Sequence, residues 1–278
     1  MATVEAAFFD LDKTVIAKPS IAAFGRPLRQ GGLINRRTMF RALVSQLIYL
    51  QLGADERRLI RVRESMLALC AGWDRDNVRR IIRTALLPTV EPLFYAEALD
   101  LMAGHRKAGH RVYLVSGAPE EIVLPLAELL GADGCIASLA EVDADGRYTG
   151  RMSLYADGPH KAIAMAEVAA ANNIDLSAST AYSDAVTDLP MLEAVGHPVV
   201  VNPDRQLGRL AREREWEVRQ FTKPVRIRDR VGGRTPFITT GLALAVTAVL
   251  LKWFARRHRV PIGPRSTLSA GHPQPATA

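Results

Sequence analysis

The chain has 278 residues, enough for one large or two ordinary domains, and its 48% hydrophobic and 23% charged content excludes a disordered or collagen-like chain. Two cysteines, Cys70 and Cys135, lack CxxC spacing and follow no signal-peptide pattern, which excludes a disulfide-built fold and leaves both as reduced packing thiols. The net charge of +7 falls largely after Arg205, around an apolar segment, a placement that favours a membrane surface over nucleic acid as the partner.

The first element is VEAAFF (4–9), an apolar run that reads as a short, fully buried strand. It ends in DLDKT, where residues two apart on an extended chain share a side, so Asp10, Asp12 and Thr14 are expected to line one face. Two neighbouring carboxylates resist shared ionisation, so the pair implies a positively charged partner. Between Val15 and Pro88 no strand is evident. LINRRTMFRALVSQLIYLQLG, DERRLIRVRESMLALCAG and DRDNVRRIIRTALL carry apolar positions at helical spacing, with Met39, Leu43 and Leu47 on one stripe. Asp55 and Asp74 serve as N-caps there, and Gly53 and Gly72 as stops. This stretch reads as an all-helical insertion, a cap over the site. Beyond it, helical patterns (PLFYAEALDLMAGHRKAG, EEIVLPLAELLG, HKAIAMAEVAAANN) alternate with strand-like runs (RVYLVS, GCIAS, TAYSD, PVVVN). Such alternation argues for βαβ units and a parallel sheet. SLAEVDADGRYTGRMSLY (138–155) has the Asp-Gly turn of a β-hairpin.

PFITTGLALAVTAVLLKWF (236–254) carries no charge from Pro236 to Leu251, and Lys252, Trp253 and Phe254 suit a membrane interface. It reads as a membrane helix anchoring a cytoplasmic catalytic portion, with a buried or docked helix as the alternative. The expected organisation is a core of 1–16 and 89–222, a helical cap at 17–88, a basic linker at 223–235, the membrane helix at 236–255 and a disordered Pro- and Ser-rich tail at 256–278.

Four polar elements fall at one edge of the expected sheet: Asp10, Asp12 and Thr14; Ser116 and Gly117 in RVYLVSGAPEE; Lys161 in GPHKAIAM; and Asp184 and Asp188 in TAYSDAVTDLPML. Taken singly, several have plain readings: Ser116-Gly117 as a turn pair, Lys161 as a solvated helix lysine, Asp188 as an N-cap. Taken in this order they resemble the haloacid dehalogenase (HAD) superfamily of phosphohydrolases, subfamily IB, the branch containing phosphoserine phosphatase. The match covers about residues 4–222. The resemblance implies a Rossmann-like three-layer α/β core with a parallel sheet and a helical C1-type cap. It also implies a Mg2+-dependent phosphomonoester hydrolase acting on a small molecule. Asp10 and Asp184 are the candidate side-chain ligands of Mg2+, with the backbone carbonyl of Asp12 added by the resemblance. Asp10 is then the nucleophile, forming an aspartyl-phosphate, and Asp12 the acid and base. Ser116, the amide of Gly117 at a helix start, and Thr14 are candidates for holding phosphate. Lys161 supplies positive charge and Asp188 holds it in place. Acidic Asp12, where pumps of this chemistry carry Thr, favours rapid hydrolysis of the intermediate.

The resemblance departs at three places. The position nine after the nucleophile, acidic in phosphoserine phosphatases, is Pro19; their cap arginine motif is missing; and GDGxND reads SDAVTD, with Ser183 and Thr187 substituted. Lys18, Arg36 and Arg37 would suit a further anionic group. The basic, apolar C-terminus makes a lipid-derived or other membrane-proximal phosphomonoester an alternative substrate, and a catalytically silent, membrane-tethered binding module is a second alternative.

Overall fold

The computed structural model describes residues 3–33, 67–90 and 93–225, and the backbone alone at 21 and 22. Strand β1 (Ala6–Asp10) is buried at every position. Ala7 and Phe9 enter one apolar cluster and Ala6 and Phe8 another. A strand covered on both faces must be apolar throughout, which is why AAFF shows no alternation. Burying the two phenylalanines contributes about 1.5–3 kcal/mol each. β3 (Arg111–Pro119) and β6 (Thr180–Ser183) flank β1 in parallel, with Asp10 opposite Val115 and Phe9 opposite Tyr182.

The remaining strands are β4 (Gly134–Val142), β5 (Tyr148–Leu154), β7 (His197–Val201) and β8 (Glu217–Arg219). They complete a seven-stranded sheet ordered β5-β4-β3-β1-β6-β7-β8. All pairs are parallel except the hairpin β4–β5. The chain leaves β1 to build one side of the sheet and returns to build the other, so the switch of strand order lies at β1. Open α/β sheets bind ligands at the carboxyl ends of the strands at such a switch.

Helices cover both faces. Helices α1 (Ser20–Gln30), α2 (Arg75–Val90), α3 (Ala96–Ala108) and α4 (Glu120–Leu130) give Phe24, Ile82, Met102 and Leu126 to the cluster that holds Phe9. Helices α5 (Pro159–Asn172), α6 (Leu189–Glu193) and α7 (Arg205–Glu213) give Met165, Leu192 and Leu207 to the cluster that holds Phe8. The result is the expected Rossmann-like, three-layer α/β core with a mostly parallel sheet. Asp74 caps α2 as expected, its Oδ1 accepting from the amide of Asn77 at 2.7 Å. α2 runs through the fully buried Val90, so the expected cap limit at 88 falls inside a helix.

Two elements differ from the sequence reading. The start of the basic region at Arg205, RQLGRLARE, forms α7, because Leu207, Gly208 and Ala211 share one buried face beneath the arginines. The charged strand β8 is an edge strand, where charge blocks further pairing. In addition, β2 (Phe94–Tyr95) pairs antiparallel with β9 (Pro224–Val225), which lies inside the stretch read as a linker. Among the described residues no helix is long and apolar enough to cross a membrane. The expected helices around Met39, Leu43, Leu47, Gly53 and Asp55, residues Arg36 and Arg37, the membrane helix at 236–255 and the tail at 256–278 lie outside the described residues.

A polar chain runs along the α3 side of the central strands. His105 Nε2 lies 2.8 Å from the Tyr182 hydroxyl, and His105 Nδ1 lies 3.1 Å from His110 Nδ1. His110 Nε2 lies 3.1 Å from Glu5 Oε2. Two facing Nδ1 atoms can share only one proton, so a consistent arrangement has Tyr182 donating to a neutral His105, His105 to a neutral His110, and His110 to Glu5. Burial first, then His110 and Arg219, hold the His105 pKa below its ordinary value, with Glu5 opposing. The unfolded chain therefore takes up a proton that the fold resists, and this contribution to stability is present above about pH 6.5 and declines as the pH falls. Thermal unfolding between pH 7.5 and 5.5 should show a steeper loss for the wild type than for His105→Phe; equal slopes would show that His105 plays no part.

Candidate active site

β1 delivers Asp10 to the sheet's rim, 5% exposed. The chain then folds back. The amides of Val15 and Ile16 both donate to Leu11 O at 3.0 Å, and Lys13 takes a left-handed φ of 63°. The turn therefore takes Thr14 out of the extended run that ends in Asp10. Thr14 is wholly buried, and its Oγ1 has no hydrogen-bond partner among the described residues. A buried hydroxyl left without a partner is available to a ligand oxygen. Asp12 Oδ1 accepts from the amide of Ser20, the first residue of α1, at 2.7 Å. Burial raises the Asp12 pKa, against the opposing hydrogen bonds from Ser20. A carboxyl whose proton is retained in this way suits an acid.

Lys161 lies in the first turn of α5 and is 4% exposed. The turn into that helix passes through Gly158 at φ 54°, ψ −128°, a conformation open to glycine. The Lys161 ammonium donates to Asp10 Oδ1 at 2.6 Å and to Asp188 Oδ2 at 2.7 Å. Asp188 Oδ2 also accepts from the Ser183 hydroxyl at 2.7 Å. Asp188 makes no side-chain cap to α6, so the N-cap reading is set aside. Burial favours a neutral lysine, but Asp10 and then Asp188 outweigh it and hold the ammonium above its ordinary range. Burial pushes the Asp10 carboxyl up, to about 8; Lys161 opposes this, while Asp188 and Asp184 add to it. Asp184, 6% exposed, is pushed up to about 6, first by burial, with Lys13 opposing and Asp188 adding.

Three carboxylates, Asp10, Asp184 and Asp188, meet the buried Lys161 ammonium and the exposed Lys13 ammonium, 3.9 Å from Asp184 Oδ2, so the fully ionised cluster keeps a surplus negative charge. Oxygen-only donors with that surplus fit a hard divalent cation such as Mg2+. Among the described residues no group of three or more His, Cys, Asp or Glu side chains is placed to hold a metal by itself. The expected set asks for two carboxylates and a backbone carbonyl.

Ser116 is buried, and its Oγ accepts from the amide of Ala118 at 3.1 Å. Gly117 is not at a helix start, as the sequence suggested; β3 continues to Pro119 and α4 begins at Glu120. The β3–β4 ladder instead skips Gly117 and Ala118, pairing Ser116 with Ala137 and Pro119 with Ser138. A bulge, rather than a helix terminus, presents this backbone. Gly117 faces the loop that leads to Lys161: a Cβ there would sit at ordinary van der Waals distance, 3.4 Å from Asp157 Cβ and 3.5 Å from Ala156 O.

The structure thus joins Asp10, Lys161 and Asp188 directly. It sets Asp184 within electrostatic reach, packs Gly117 against the loop before α5, and engages Asp12 with α1. Sequence reasoning passed over Asp204, whose Oδ1 caps α7 at Leu207 (2.7 Å) while Oδ2 accepts from Val186 N (3.0 Å) and its amide donates to Asp184 O (3.0 Å). Aspartate just ahead of an amphipathic run was its available signal. A cavity of about 430 Å3 lined by Glu97, Asp100, Leu101, Arg219, Gln220 and Phe221 includes none of the site residues.

With this geometry, similarity to known proteins gains meaning. Residues 7–193 match the family described as haloacid dehalogenase-like hydrolase. The chain is 44% identical over 263 residues to the inhibition of morphological differentiation protein of Streptomyces azureus, covering 92% of this chain and 95% of that one. It is 46% identical over 245 residues to a probable phosphatase of Mycobacterium tuberculosis, covering 88% and 85%. A phosphoserine phosphatase of the same organism is 31% identical over 256 residues, covering 91% and 81%. Among solved structures, a phospho-aspartyl intermediate analogue of phosphoserine phosphatase superposes with a TM-score of 0.55 at 17% identity, covering 84% of this chain and all of that one; the likeness is one of fold.

Removing one partner of a buried ion pair leaves uncompensated charge and costs about 3–5 kcal/mol. Lys161→Met should therefore lower stability by about that much in urea unfolding with EDTA present. An unchanged midpoint would mean that the ammonium is not held as described.

Proposed function

The chain belongs to the haloacid dehalogenase-like hydrolase family, and on that footing we propose that it is a Mg2+-dependent phosphomonoesterase, phosphoserine phosphatase-like in its chemistry. The observation that carries this reading is the Lys161 ammonium clasped between Asp10 and Asp188, side chains 151 and 27 residues away in sequence. A structural ion pair would not need two further acids at the same rim. Phosphoryl transfer does, since it depends on charge neutralisation and positioning.

In this mechanism Asp10 and Asp184, with the Asp12 carbonyl, hold the cation. When bound, Mg2+ neutralises the carboxylate surplus and the phosphate charge. A carboxylate oxygen of Asp10 attacks phosphorus as the ester P–O bond breaks, giving an aspartyl-phosphate. Asp12 gives its proton to the departing alkoxide, then takes one from the water that attacks phosphorus and releases inorganic phosphate. Lys161 offsets charge on the transferring group, and Asp188 with Ser183 keeps its ammonium aimed. Ser116 and the Gly117 amide hold a non-bridging oxygen, and Thr14 Oγ1 is a further donor.

The substrate is a small phosphomonoester. Pro19 at the N-cap of α1 puts no acid at the place where phosphoserine phosphatases carry one, which favours an alcohol moiety other than serine. A panel that includes phosphoserine and glycerol phosphates separates these readings. The panel should show phosphate release that EDTA abolishes and Mg2+ restores; turnover indifferent to EDTA would defeat the metal assignment. Asp10→Asn should eliminate the hydroxylamine-labile phosphoenzyme and turnover together, and wild-type turnover in that variant would remove Asp10 as nucleophile. Asp12→Asn should lower kcat by about 10²–10⁴-fold while substrate still binds; a loss confined to KM would reassign it to binding.

A further inference from the structure

We propose that Ser138 is a positioning residue that locks the two phosphate-holding loops together, an inference that rests on the phosphatase reading above. Ser138 lies on β4 and is 1% exposed. The bulge at Gly117–Ala118 takes these residues out of the β3–β4 ladder. A carbonyl released from the ladder in this way can take another donor. The Ser138 hydroxyl supplies it, donating to Gly117 O at 2.8 Å. The same oxygen accepts from Ala156 N at 3.1 Å, across the hairpin and just ahead of α5. One hydroxyl therefore uses its proton on one loop and a lone pair on the other.

The consequence is geometric. With Gly117 O held by Ser138 and Ala118 N held by Ser116 Oγ, the peptide between Gly117 and Ala118 is fixed at both ends. Ser116 Oγ, serving as an acceptor there, keeps its proton for a phosphate oxygen. On the other side, anchoring Ala156 sets the start of the loop through Asp157 and Gly158 into α5, and with it the base of Lys161. Ser138 touches none of the reacting atoms. It sets the distance between the donors on β3 and the ammonium on α5, which must close on the same phosphoryl group, and small misplacements of that kind are costly in rate.

The test uses the full chain with Mg2+, comparing wild type, Ser138→Ala and Ser138→Thr for inorganic phosphate inhibition, Mg2+ binding by calorimetry and thermal unfolding. Ser138→Ala should raise the phosphate inhibition constant and lower kcat/KM by about tenfold or more, with Mg2+ binding unchanged. Ser138→Thr, which keeps the hydroxyl, should recover most of both. Wild-type phosphate inhibition in Ser138→Ala would overturn the proposal alone, as would parallel losses of Mg2+ binding, phosphate binding and melting temperature, which mark a purely structural role. A wild-type enzyme that neither binds inorganic phosphate nor turns over the panel would overturn it together with the phosphatase reading.

Discussion

A single ammonium, that of Lys161, joins the two halves of the sheet's rim. It is nearly inaccessible to water and donates to carboxylates from β1 and from the turn after β6. Burying three such charges is expensive, and an apolar replacement of equal volume would often serve stability as well or better. The expense has a chemical rationale. A charged site prepared in advance, with little water to reorganise, stabilises developing charge far better than solvent does.

The rest of the fold keeps that cluster in register. Parallel pairing of β1 with β3 and β6 sets Asp10 beside Val115 and one residue beyond the Phe9–Tyr182 step. The rings of Phe9 and Tyr182 stack 4.3 Å apart at 9°, so the residues just inside the rim are packed face to face. Asp204 ties the turn bearing Asp184 and Asp188 to the start of α7, and Ser138 ties β3 to the loop before α5. Each loop at the rim is thereby anchored to a neighbour rather than left to its own propensities.

Asp12 links the site to α1. Its carboxylate is held by the first amide of that helix. A helix start favours negative charge, while burial favours the proton. The two influences act against each other on one carboxyl, which suits the acid and base role proposed for it.

Much of this was legible in the primary structure because local chemistry compelled it. A strand buried on both faces must be apolar, so AAFF declared itself, as did Asp74 ahead of α2 and the DG hairpin. The acids and the lysine were legible as a set because their order along the chain is distinctive, although Lys161 or Asp188 alone would have passed as a solvated lysine or a cap. Other features depended on contacts made only when the chain closes. Ser138 and Asp204 carry no motif; a serine inside a strand or an aspartate before a helix becomes significant through which amide or carbonyl it meets. Gly117 was legible as a residue at the sheet's rim but not as a bulge, since a skipped ladder partner is a property of two strands. Composition and order thus settled the layers, the acids and the class of chemistry. Tertiary structure decided which oxygen holds which proton and which loop is tied to which, because hydrogen bonds between residues over a hundred positions apart exist only after the sheet has formed.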